Sequence, residues 1–124
     1  MAKLLFNITY GTNNPTKASL GFMLARTAVE EGHEVQVFLN ADAVSLIRKP
    51  VLDSLVGLGT GKLSEHFDIL VGANVPIYVS AISCEIRGVT EKDLEESNSI
   101  KFFQKLSLIY LYSQIEHLFT NRHD

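Results

Sequence analysis

The residues best suited to chemistry lie in the stretch 77–94, IYVSAISCEIRGVTEKDL, which holds the single cysteine of the 124-residue chain. An apolar run (Ile77, Tyr78, Val79) meets small residues (Ser80, Ala81, Ser83), and a polar stretch then passes Gly88 toward an acidic cluster. That order predicts strand, turn and short helix, with Cys84 at the hinge. A helix beginning near Ala81 puts Cys84 in its first turn, where unpaired backbone N–H groups and the positive end of the dipole favour thiolate over thiol. Arg87, three residues on, shares that face and adds positive charge. A thiolate attacks the sulfur of a persulfide or disulfide, or the oxygen of a peroxide. The competing reading is a buried cysteine that serves as a small apolar side chain.

A second group is Thr12, Asn13 and Asn14, in the turn-forming stretch GTNNPTK. Side-chain donors and backbone N–H groups at a helix N-terminus form an anion-binding arrangement, and the same residues also suit plain helix capping. A phosphate loop is absent. The nearest match, GLGTGK at 57–62, has the wrong spacing and is followed by Leu63 where a hydroxyl is needed. His33, His66, His117 and His123 share no metal-ligand spacing, and the cysteine has no CxxC partner, so neither a metal nor a cofactor is expected. His66 is expected on the exposed face of its helix. Glu91, Asp93, Glu95 and Glu96 read as a solvated face, and Tyr110 and Tyr112 as packing residues.

These groups need a scaffold, and composition limits which one. The length is that of a single domain, with 46% hydrophobic and 20% charged residues, as in an ordinary globule. A net charge of −3 without a lysine or arginine cluster gives no footprint for nucleic acid. The N-terminal MAKLLFNITY reads as a strand and not a leader, and no run of about 18 apolar residues suggests a membrane span. One cysteine and no export signal point to the reducing cytoplasm.

Leu4, Leu5, Phe6 and Ile8 form a nearly continuous apolar run, expected as a central strand of a parallel sheet. Over residues 16–31, Leu20, Met23, Leu24, Thr27 and Ala28 recur at helical spacing, while Phe22, Ala25 and Val29 line another side. The surplus apolar surface suggests a contact between subunits. Gly32 caps that helix, and HEVQVFL (33–39) supplies a second strand. Residues 40–61 are ambiguous between short helix and irregular flap. Leu63, Phe67, Leu70 and Val71 restore helical spacing up to Gly72, and Pro76 leads into the third strand. A fourth strand is expected at 99–103, a helix at 106–116 and a closing strand at 117–120. The predicted architecture is therefore a single α/β domain, a mainly parallel five-stranded sheet with helices on both faces in a Rossmann-like three-layer arrangement.

The lysine-led first strand, the polar loop into a helix, EGHEVQVFL, ADAVSLIRK and VPIYVSAISCEIRGVTEKDL together resemble the DsrE/DsrF-like (YchN-like) sulfur-relay family. The resemblance implies a small α/β domain that assembles into trimers or hexamers, with a cysteine after the third strand that carries sulfur as a persulfide. Family members commonly place cysteine eight or five residues before the glycine that matches Gly88. Here those positions hold Ser80 and Ser83, and Cys84 lies four before it. An offset of one residue turns a helical side chain by about 100°.

The leading expectation is a homo-oligomeric sulfur carrier. Cys84 takes sulfane sulfur from a donor protein and passes it to an acceptor, Arg87 steadies the thiolate, and Thr12, Asn13, Asn14, Ser80 and Ser83 line the crevice. The alternative is a non-catalytic binding or assembly module with Cys84 structural. A redox sensor with an exposed Cys84 is the third reading.

Overall fold

The computed structural model describes residues 1–96 and 103–106. Four parallel strands form the main sheet: β1 (Lys3–Ile8), β2 (Glu34–Leu39), β5 (Ile77–Ser80) and β6 (Phe103–Leu106), in the order β1-β2-β5-β6. Of the expected fourth strand, 99–103, Phe103 is the described residue, and it lies in β6. Leu106, expected to open the C-terminal helix, ends β6, and the rest of that helix and the closing strand lie outside the described residues. Among the described residues β1 pairs only with β2, and β2 and β5 have a neighbour on each side.

Alternation explains the core. Leu4, Phe6 and Ile8 stand beside Val35, Val37 and Leu39, and the last two stand beside Ile77 and Val79. With a period of two, all of these point to one face of the sheet. Helix α1 (Pro15–Glu30) and helix α3 (Leu63–Gly72) pack together, and α1 lies on β1 and β2. The stripe of α1 that enters the core is Ala18, Ser19, Phe22, Ala25 and Ala28. The other predicted stripe, with Leu20, Met23 and Leu24, is the outer one, because small residues let the helix approach the sheet closely. Phe22 meets Phe67 of α3 with ring centroids 6.4 Å apart and a 51° tilt, an arrangement aromatic rings favour.

The ambiguous stretch 40–61 resolves into a 3-10 helix (Ala41–Ile47), helix α2 (Lys49–Ser54) and the start of a small antiparallel hairpin, β3 (Val56–Gly57) with β4 (Gly61–Lys62). Ala43, Val44, Leu46 and Ile47 are buried, which makes this stretch part of the core rather than a flap. The hairpin is fastened by a buried polar cluster. The Ser19 and Thr60 hydroxyls share a short hydrogen bond, the Leu58 N–H donates to Thr16 Oγ1, and His66 Nε2 lies 2.7 Å from the Thr60 carbonyl oxygen. His66 is 6% exposed, so its expected place on the outer face of α3 is corrected: the ring turns inward to satisfy that carbonyl.

Helix α4 (Ala81–Arg87) follows β5 directly, and α5 (Glu91–Glu96) follows α4. Helices α1, α3 and α4 end in the same way, with a left-handed residue (Gly32, Asn74 and Gly88, φ 86°, 58° and 66°). In α4 the N–H groups of Gly88 and Val89 donate to the carbonyls of Glu85 and Cys84; the corresponding pairs close α1 and α3. This double closure is the Schellman motif, and it turns the chain sharply at each helix end. For α3 the stop is Asn74, not Gly72, since asparagine tolerates the left-handed region. Among the described residues no helix is long and apolar enough to cross a membrane.

Candidate functional site

Three chain segments meet beyond the carboxyl ends of β1, β2 and β5, where an open α/β sheet carries its crevice. Ser80, the last residue of β5, caps α4 by accepting the Ser83 N–H at 3.3 Å. Ser83 faces the segment after β2. Its hydroxyl donates to Asn40 Oδ1 and accepts the Ala41 N–H, both at 2.9 Å. Ala41 has φ 52°, a conformation that costs a residue with a Cβ about 1–2 kcal/mol. The Asn40 side chain also receives the Ala41 N–H, so the two polar side chains fix the strained peptide between them.

Arg87 Nε donates to Asp42 Oδ1 at 3.1 Å, and Arg87 Nη1 reaches the Ser83 carbonyl at 3.5 Å. Arg48 grips the turn after α4, with Nη2 donating to the carbonyls of Arg87 and Gly88 at 3.0 and 2.9 Å. Its Nε lies 3.7 Å from Asp93 Oδ2, the same oxygen that accepts the Thr90 N–H at the start of α5. Of the acidic cluster, Asp93 is therefore a structural partner, while Glu91, Glu95 and Glu96 are exposed.

The loop after β1 closes the crevice from the other side through Gly11. A Cβ there would lie well inside contact with the Asp42 carbonyl oxygen, and 2.9 Å from Ser45 Oγ. Asn13 and Asn14 are spent within the loop: Asn13 Oδ1 accepts the Gly11 N–H at 2.8 Å, and Asn14 caps α1 by accepting the Lys17 N–H at 3.1 Å. Thr12 lines a cavity of about 280 Å³ together with Pro15, Val51, Ser54, Leu55 and Val56.

Cys84 departs most from expectation. It is the fourth of seven residues in α4, in the middle of the helix rather than at a hinge. Its side chain is 2% exposed and belongs to the hydrophobic core. The rotation anticipated from the one-residue offset is what occurs: Ser83 points to the crevice and Cys84 into the protein. Arg87 does not face the thiol in a free state, since Asp42 holds its guanidinium.

The structure thus brings together Ser80, Ser83 and Arg87, engages Asn13 and Asn14 within their own loop, sets Thr12 on a separate cavity, and withdraws Cys84. Asn40, Ala41, Asp42 and Arg48 escaped the sequence reading. A legible signal existed for Asn40, a helix-capping residue type directly before an apolar segment. Chemically, the crevice offers two hydrogen-bonded hydroxyls and a neutralised ion pair. Ser83 is held by an amide oxygen and a backbone N–H, neither of which is a base able to activate a hydroxyl. Among the described residues no cluster of ligand side chains could hold a metal ion.

Fold and site together define an open α/β sheet protein with a small polar crevice at its strand ends. The sequence matches the DsrE/DsrF-like family over residues 2–120, and the chain belongs to that family. It is 36% identical over 92 residues to the uncharacterized protein MJ0760 of Methanocaldococcus jannaschii; the match takes in 74% of this chain, which spans about a third of that relative (34%). The crystal structure of the YchN protein from E. coli superimposes with a TM-score of 0.71 at 19% identity, covering 91% of both chains. That likeness establishes the α/β fold.

Proposed function

We propose that this chain is an oligomeric binding and assembly module of the DsrE/DsrF-like family, acting in the reducing cytoplasm as a trimer or hexamer, with Cys84 structural. The observation that carries the reading is the burial of Cys84 in the core, together with serines at positions 80 and 83. A nucleophile has to meet its reactant, and serine cannot hold a persulfide. Ile82 and Ile86, one turn apart on α4 and both exposed, support a role in contacts.

A second reading keeps the sulfur relay associated with the family. Cys84 follows within one helical turn of the carboxyl end of β5, and displacement of α4 would expose it to donor and acceptor proteins. Access separates the two readings. Under the structural reading, Cys84 in the native protein reacts with an aromatic disulfide reagent about 100-fold or more slowly than in 8 M urea, as expected when labelling waits for an opening costing about 3 kcal/mol or more. Equal native and denatured rates, followed by absorbance of the released thiol, would favour the carrier.

A further inference from the structure

The outer side of α1 carries an apolar strip with a charge of opposite sign at each end. Lys17, Leu20, Leu24, Thr27 and, at the C-cap, Glu31 recur at intervals of three and four residues, which places them on one face. The opposite face, with Ala18, Phe22 and Ala25, is buried. Leu24 is 48% exposed, and Lys17, Thr27 and Glu31 are exposed as well. Lys17 Nζ rests over the Tyr10 ring at 4.8 Å, and among the described residues it meets no carboxylate. Glu31 has, among the described residues, only His33 Nε2 as a cationic partner, at 3.8 Å, and its side chain is 66% exposed.

Lys17 and Glu31 stand seven residues before and seven after Leu24, about 21 Å apart along the axis. We propose that two copies of the chain pair through this face, their α1 helices antiparallel about a two-fold axis at Leu24. The proposal rests on the oligomeric reading above and assigns one of its contacts. In that arrangement each Lys17 meets the Glu31 of the other copy, Leu20 meets Thr27, and the two Leu24 side chains meet at the axis. A parallel pairing sets lysine against lysine and glutamate against glutamate, so charge selects the antiparallel one. The helix dipoles agree with that choice. A two-fold contact uses the same patch on both copies and closes on itself.

Sedimentation velocity at low salt on the full chain tests this, with Lys17→Glu, Glu31→Lys, the double reversal and Leu24→Glu beside the unchanged protein. Each single reversal is expected to weaken association about tenfold. The double reversal should return to within about threefold of the original, and Leu24→Glu should abolish the contact. An oligomer indifferent to all four variants overturns the α1 pairing while leaving the oligomeric reading intact. A double reversal no better than either single overturns the antiparallel register. A monomeric unchanged protein overturns both the pairing and the reading on which it rests.

Discussion

Gly11→Ala is expected to lower stability by about 3 kcal/mol, at the upper end of what overpacking a tight site costs. The added Cβ would meet the Asp42 carbonyl oxygen and its carbon, the latter at 2.9 Å. Both are backbone atoms and cannot rotate away. Relief requires the β1 loop to lift from the 3-10 helix, which also strains the Asn14 N–H bond to the Gly11 carbonyl at 3.1 Å and shifts Asp42 under Arg87. The effect should appear as a lower urea midpoint with an unchanged slope. A loss below about 0.5 kcal/mol would mean that the loop and the 3-10 helix are not held in contact.

His66→Ala is the second large effect, also about 3 kcal/mol, from a buried carbonyl left unpaired plus the space vacated by the ring. The hydrogen bond to the Thr60 carbonyl assigns the proton to Nε2. Nδ1 is then free to accept from Arg26 Nη1 at 3.4 Å. His66→Gln can place an amide N–H near the Nε2 position and should cost only about 1 kcal/mol. Urea midpoints of the two variants decide the matter. If glutamine proves as damaging as alanine, the ring acts by filling space and the hydrogen bond to the hairpin contributes little.

Much of the fold was legible because hydrophobic period tracks burial. The runs Leu4 to Ile8, Val35 to Leu39 and Ile77 to Val79 became neighbouring strands, and Leu63, Phe67 and Leu70 one face of a helix. The order of the strands in the sheet was not legible, since an apolar run does not record which neighbour it pairs with. Nor was the choice of stripe on α1, where small residues around Phe22 outcompeted the larger Leu20 and Leu24 for the sheet. The stretch 40–61 was obscure because a 3-10 helix has no strong period of its own, and its buried side chains come from consecutive positions.

The site was half legible. Ser80, Ser83 and Arg87 were found from their place after a strand, but their partners Asn40 and Asp42 lie more than forty residues away, and contact at that distance leaves no local pattern. Asn14 shows how one residue type serves two readings: the capping role is realised, and it consumes the side chain that an anion would have used. Cys84 turned on a single residue of register. Position 83 points to the crevice and position 84 to the core, a difference composition does not record.

The measurement that bears most directly on the function is intact-mass spectrometry of the chain and of Cys84→Ala after incubation with a persulfide donor, with a small thiol as reactive control. With Cys84 packed in the core, the native chain is expected to keep its mass while the control gains sulfur. A gain of one sulfur atom on the native chain, reversed by reductant and absent from Cys84→Ala, would contradict the structural role of Cys84 and make this chain a sulfur carrier.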